Sequence, residues 1–345
     1  MSDIDIRIEG RAGRITLNRP SALNALTYDM CMAIDAALKD WAGDDRVALL
    51  MIDAAGDKAF CAGGDIAELY ATGKAGDYAY GQTFWADEYR MNARMFGFPK
   101  PVVSFLQGFT MGGGVGVGCH GSHRIVGDSS KIAMPECGIG LIPDVGGSLI
   151  LGRAPGRLGE YIGVTSARMG PGDAIFAGFA DYYLPEDDWP KLKAELIETG
   201  DWGAIDRAAR PAPDAPLEGK MDAIARFFAG ATLRDIWNAL KHDEGDFASE
   251  TRAAMAKNSP LSMAAAVELV RRARASVDDI EHALGQEYRF TSRAMEHGDF
   301  LEGIRAAIID KDRNPHWKHD SIDALPEIDV TRMLLPLGRD ALTFD

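Results

Sequence analysis

The chain has 345 residues, 46% of them hydrophobic and 26% charged, with a formal net charge of −15. That balance is ordinary for a globular protein of about two domains with a large core. The acidic excess argues against nucleic acid or an anionic membrane surface as the main partner, and no run approaches the ~18 apolar residues that span a bilayer.

Residues 4–8 (IDIRI) and 14–18 (RITLN) alternate about the turn EGRAG, which predicts a hairpin ended by Asn18-Arg19-Pro20. The N-terminus enters this pattern directly, with neither a basic-then-apolar leader nor an Arg/Ser-rich one, so the expected location is the cytoplasm. Met30, Ile34, Leu38 and Trp41 fall on one helical face, and Thr27 is placed to cap it. VALLMID (47–53) reads as a strand, AAGDKAFCAGGD as a glycine-bearing loop, and 83–97 as helix. PVVSFLQGF (101–109) reads as one strand entering MGGGVGVG, and HRIVG and KIAMP as two short strands. Helical patterns dominate after about residue 150, with one helical stretch over 221–241 and a helix begun by Ser259-Pro260. Ser276 with Asp279 reads as a capping-box start, Gly298 as a stop, and the tail from Arg313 as polar and proline-broken.

Cys31, Cys61, Cys119 and Cys137 show no C-x-x-C or zinc spacing and read as reduced thiols. No metal site is expected, since His120 and His123 lack acidic partners nearby. Gly116 to Gly121 formally matches G-x-G-x-x-G, but the match sits where a helix should already be running, so no dinucleotide site is expected. Two glycine loops follow strands, CAGGD (61–65) and MGGGVGVG (111–118). If both open helices, their free N–H groups can form an oxyanion hole. MPECGIGLIPDVGG (134–147) poses the sharper question. Its only charged residues, Glu136 and Asp144, lie in a segment otherwise built for burial.

LNRPSALNALT (17–27), KAFCAGGDIAEL (58–69), QGFTMGGGVGVG (107–118) and MPECGIGLIPDVGG together resemble the crotonase (enoyl-CoA hydratase/isomerase) superfamily. The resemblance implies an α/β fold: a crotonase-like spiral of ββα units as an acyl-CoA-binding catalytic core over 1–200, then a helical C-terminal region over 201–345. It implies that the N–H groups of Gly64 and Gly113 hold the thioester oxygen. Ala22, Leu23, Ala25, Gly63, Asp65, Ile66 and Gly112 then line the substrate. Coenzyme A is part of the substrate, no separate cofactor is implied, and a homo-oligomer is possible.

The narrower resemblance is to the 3-hydroxyisobutyryl-CoA hydrolases, the thioesterases of valine breakdown. Gly116 stands where hydratases carry a glutamate, while Glu136 and Asp144 have the hydrolase spacing. DEYRMN (87–92) resembles the helix whose glutamate touches the acyl group, which assigns that role to Glu88. Thioester hydrolysis needs an oxyanion hole, a carboxylate that attacks or activates water, and a group that orients substrate. The rival readings are a hydratase or isomerase of the same superfamily, and a non-catalytic acyl-CoA-binding protein.

Overall fold

The computed structural model describes residues 2–276 and 279–344. Two compact units divide the chain, each assembled from separate stretches. Met1–Gly64, Asp87–Ala133 and Arg168–Glu218 form the first, and Asp65–Ala86, Met134–Ala167 and Gly219–Asp345 the second.

The strands run β1 (Ile4–Glu9), β2 (Ala12–Leu17), β3 (Leu49–Ala54), β4 (Ala59–Cys61), β5 (Val102–Phe105), β6 (Phe109–Met111), β7 (His123–Val126), β8 (Lys131–Ala133) and β9 (Tyr182–Tyr183). In the first unit they build a six-stranded sheet of order β1-β2-β3-β5-β7-β9 and a three-stranded sheet of order β4-β6-β8. The expected hairpin is the antiparallel pair β1–β2, and the pairs that follow are parallel. Three times the chain passes from a strand of the large sheet to one of the small sheet and then into a helical segment. Those segments are Ala67–Lys74, Gly113–Gly118 and Glu136–Ile139. This repetition is the expected spiral of ββα units.

Leu49 and Met51 on β3, with Val103 and Phe105 on β5, alternate onto one face. Trp189, Leu192 and Leu196 of the helix Trp189–Thr199 belong to the same buried cluster. Each such side chain contributes about 1.5–3 kcal/mol by leaving water. The helix α1 (Tyr28–Ala42) buries Met30, Ile34, Leu38 and Trp41 as its periodicity predicts, and Thr27 accepts the Met30 N–H at 3.2 Å. Asp53 is a buried acid with partners: Arg14 at 2.7 Å, Lys193 at 2.8 Å and the Thr16 hydroxyl at 2.7 Å. Burial alone would raise its pKa, but Lys193 and Arg14 outweigh that and hold it below the usual value.

The strand expected over 101–109 is two strands, β5 and β6. At Gly108 the backbone takes φ +56°, and a Cβ there would lie 2.1 Å from the Lys58 carbonyl oxygen. Only glycine makes that turn, so the chain leaves one sheet and enters the other. The expected helix over 83–97 begins earlier, as α2 (Tyr78–Phe96), and α3 (Gly113–Gly118) follows β6.

The second unit is helical. It contains α4 (Gly147–Arg153), α5 (Leu158–Thr165), α6 (Pro260–Ala275), α7 (Ile280–His297) and α8 (Phe300–Ile304). The stretch expected as one helix over 221–241 is two, Met221–Phe227 and Leu233–Leu240. Thr232 and Asp235 form a capping box that starts the second. Ser276 ends α6 and does not begin a helix, while Asp279 caps α7 by accepting the His282 N–H. The two residues between them lie outside the described residues. Ser259 caps α6 as expected and also donates to Asp299 at 2.6 Å.

Glu160 on α5 is fully buried and gathers three guanidinium groups. Arg274 binds both of its oxygens at 2.8 Å, Arg157 lies at 2.9 Å and Arg271 at 3.4 Å. Burial opposes ionisation here, yet the arginines pull the pKa below the usual value. Arg274→Met should therefore destabilise the fold by about 3 kcal/mol, because it strips a bidentate partner from a buried charge. A urea midpoint equal to wild type would contradict this account.

Candidate active site

In the first unit, residues 20–26 are stitched to 55–64 by backbone and side-chain bonds. Leu26 N donates to Gly63 O at 2.9 Å and Ala62 N to Leu23 O at 3.0 Å. The buried Asn24 amide donates to Ala55 O and Ala59 O, each at 2.9 Å, while its oxygen accepts the Arg19 N–H at 2.8 Å. Leu23 and Asn24 take left-handed backbone, with φ +52° and +55°. Ala22 is exposed, Leu23 and Ala25 are half-buried, and Leu23 lines a cavity of about 220 Å³ with Pro20, Asn24 and residues 55–59.

The two glycine loops meet in this unit. A Cβ on Gly113 would lie 3.3 Å from the Gly64 nitrogen and 3.1 Å from Oε1 of Glu88. Gly63 has φ +117° and Gly112 φ +50°, conformations that side chains resist. The ladder of α3 begins with Val115 and Gly116 donating to Gly112 O, so the Gly113 N–H lies outside it. Glu88, on α2, is buried at 4% exposure. Beside it, Cys61 donates to Gly63 O, and burial, aided by the charge of Glu88, pushes this thiol up to about 12.

In the second unit, Glu136 opens a single helical turn, Glu136–Ile139, and is 95% buried by its 5% exposure. The turn is pressed close to α8, since a Cβ on Gly303 would meet Ile139 O at 2.1 Å. Oε2 of Glu136 is buried and has no hydrogen-bond partner among the described residues. Asp144 follows Pro143 in a loop that passes through Val145 (φ +52°) and Gly146 (φ +79°) into α4, and it too is 5% exposed. Glu287, fully buried on α7, accepts the Gly146 N–H at 2.8 Å, the Ser148 N–H at 2.9 Å and the Ser148 hydroxyl.

Three acids therefore share one region of this unit. Burial raises Glu136 well above its ordinary value, and the charges of Asp144 and Glu287 add to the shift. Burial likewise lifts Glu287 to about 8, against the donors from Ser148 and Gly146 and with Asp144 adding to the rise. Neither Glu136 nor Glu287 forms an ion pair among the described residues. A carboxyl so placed is a proton carrier or, once ionised, a poorly solvated and reactive base.

Of the expected residues, Gly63, Gly64, Glu88, Gly112 and Gly113 come together in the first unit, and Glu136 and Asp144 in the second. Asp65 and Ile66 are half-buried at the head of the helix Ala67–Lys74, with Ile66 as its N-terminal cap residue. His120 packs edge-on against Phe96 and His123 stacks on Tyr182, both within the first unit. Among the described residues, no group of three His, Cys, Asp or Glu is arranged to hold a metal ion. Asn24 and Glu287 escape the sequence reading. For Glu287 the signal is an acid on the buried stripe Ala283, Leu284, Glu287, Tyr288, Thr291 of an amphipathic helix.

The family described as enoyl-CoA hydratase/isomerase matches the chain over residues 12–334. The mitochondrial 3-hydroxyisobutyryl-CoA hydrolase of Danio rerio is 37% identical over 92% of this chain and 85% of its own length. A crystal structure titled as an enoyl-CoA hydratase from Rhodobacter sphaeroides is 56% identical, with a TM-score of 0.95 over 99% of this chain and all of its own. One titled as a carnitinyl-CoA dehydratase from Mycobacterium thermoresistibile is 39% identical, with a TM-score of 0.94 over 100% of this chain and 99% of its own.

The raised Glu136 has a consequence for stability. Its folded-state pKa exceeds the unfolded one, so its contribution is favourable at low pH and is lost as pH rises through the folded value. Glu136→Gln should melt at a higher temperature than wild type at pH 8, and the two should converge at pH 4. A variant that melts lower than wild type at both would mean the carboxylate stabilises the fold.

Proposed function

This chain belongs to the enoyl-CoA hydratase/isomerase family, and from that premise we propose that it hydrolyses an acyl-coenzyme A thioester, with 3-hydroxyisobutyryl-CoA as the first candidate. The observation that carries the reading is Glu136: a buried carboxyl beside Asp144 that, among the described residues, has one oxygen unbonded and no cation paired with it. The helix that follows the Gly112 turn reads GGVGVG and holds no acid. An enzyme that hydrates a double bond needs two placed acid/base groups, and this helix supplies none. The hydrolase-named relative at 37% identity supports the same choice.

In this reading the N–H groups of Gly64 and Gly113 receive the thioester oxygen as it gains charge, each donor being worth about 10²–10³ in turnover. Ionised Glu136 adds to the carbonyl carbon and expels the thiolate, leaving an anhydride that water cleaves. Alternatively it takes the proton of a water that attacks the carbonyl directly. Both routes break the C–S bond, form a C–O bond from water and release acid and thiol. Asp144 orients the water or the substrate hydroxyl, and Glu88 contacts the acyl group.

A lyase reading has its own support, because the two solved relatives carry hydratase and dehydratase titles. Thiol release from 3-hydroxyisobutyryl-CoA, measured beside loss of the conjugated absorbance of crotonyl-CoA, separates the two. The expected result is thiol release without hydration, reduced about 10²–10⁴-fold in Glu136→Gln. Since Glu136 must be ionised, the rate should fall with acid along a limb above the usual carboxylate range. Hydration without thiol release would sink the hydrolase reading.

A further inference from the structure

The loop that carries Asp144 is held in an unfavourable backbone shape. Val145 is β-branched yet has φ +52°, and Gly146 follows at φ +79°. Such a residue is strained and persists only where its surroundings impose it. Gly147 N closes the loop on Asp144 O at 2.6 Å, a bond local to the turn. A remote constraint comes from 141 residues further along the chain. Both carboxylate oxygens of Glu287 are engaged, Oε2 by the Gly146 N–H and Oε1 by the Ser148 N–H and hydroxyl.

We propose that Glu287 is a positioning residue: it grips the amides on either side of Gly147 and so fixes the Asp144 carboxylate relative to Glu136. Glu287 is fully buried on α7, and both of its oxygens are already taken up by the loop. Its effect on chemistry runs through the loop it holds and through its charge. The titratable groups coupled to it are Asp144 and Glu136, and no Lys, Arg or His pairs with it among the described residues. This proposal rests on the assignment of Glu136 and Asp144 to catalysis.

Glu287→Gln keeps the side chain's size but turns its amide NH2 toward one of the two backbone N–H donors, which releases one anchor of the loop. The expected outcome is kcat lower by about 10–100-fold at nearly unchanged KM, since a misplacement near 1 Å costs about that much. The acid limb of the rate should also move to lower pH, because one of the acids that raises Glu136 is gone. Glu287→Asp, which keeps the charge, should leave the limb in place and recover part of kcat; it also serves if the Gln variant fails to fold. A structural role alone would lower the yield of folded enzyme without moving the limb. Unchanged kcat and limb in the folded variants would overturn the proposal.

A second readout needs no substrate. Glutamate labelled with ¹³C at its carboxyl, with the Glu136 signal assigned by its loss in Glu136→Gln, reports the titration of Glu136 directly. The expected result is a lower Glu136 midpoint in Glu287→Gln than in wild type, and an identical midpoint would overturn the proposal. A wild type that releases no thiol from its thioesters sinks the hydrolase reading alone, and this titration then decides the coupling of Glu287 to Glu136.

Discussion

A carboxylate sealed from water must be matched by a cation, by hydrogen-bond donors, or by a proton. This chain uses all three, and the differences set the direction in which each acid's pKa moves. Asp53 and Glu160 are matched by guanidinium and ammonium groups and stay ionised. Glu287 has backbone and hydroxyl donors that offset burial only in part and leave its pKa at about 8. Glu136 has an oxygen with no partner among the described residues and is driven towards its protonated form. Burial is nearly the same in the four, so the choice of partner decides which way each acid's pKa is shifted.

The path of the backbone explains where the motifs fall. β4, β6 and β8 are parallel strands of the small sheet, and each ends two or three residues before a motif: Cys61 before Gly64, Met111 before Gly113, Ala133 before Glu136. In parallel sheets the carboxyl ends of strands are where loops can present N–H groups and side chains. The glycines at 63 and 112 are required by left-handed geometry that turns the following amides outward. Three repeats of one local pattern thus deliver two backbone donors and one acid.

Much of this was legible in the sequence because the signals were local. The hairpin, the cap at Thr27, the stripe of α1 and the glycine loops each show within a few residues. Glu136 and Asp144 stood out because they interrupt an apolar run. β4 was missed because its three residues lie inside a glycine-bearing segment that reads as a loop. The split of 101–109 was missed because it depends on how closely Gly108 approaches Lys58, which no window around residue 108 contains. Glu287 was missed for a like reason. It sits among charged neighbours in EYRFTSR, and its partners are about 140 residues away in sequence. Long-range hydrogen bonds to backbone leave no mark in the pattern of the partner segment.

The buried cysteines bear on the fate of an acyl group. Cys61 lies three residues before the Gly64 amide, so under the proposed function a thiol there could compete with water for the carbonyl. Thiols attack only as thiolates. With its pKa near 12, Cys61 is ionised in about one molecule in 10⁵ at neutral pH. Cys119 is held equally high, and Cys31 and Cys137 are also raised. All four are buried and free of disulfides. On the proposed hydrolase reading, whose product is a thiol, the protein's own sulfur would therefore stay protonated, placed neither to capture the acyl group nor to exchange with the sulfur that leaves.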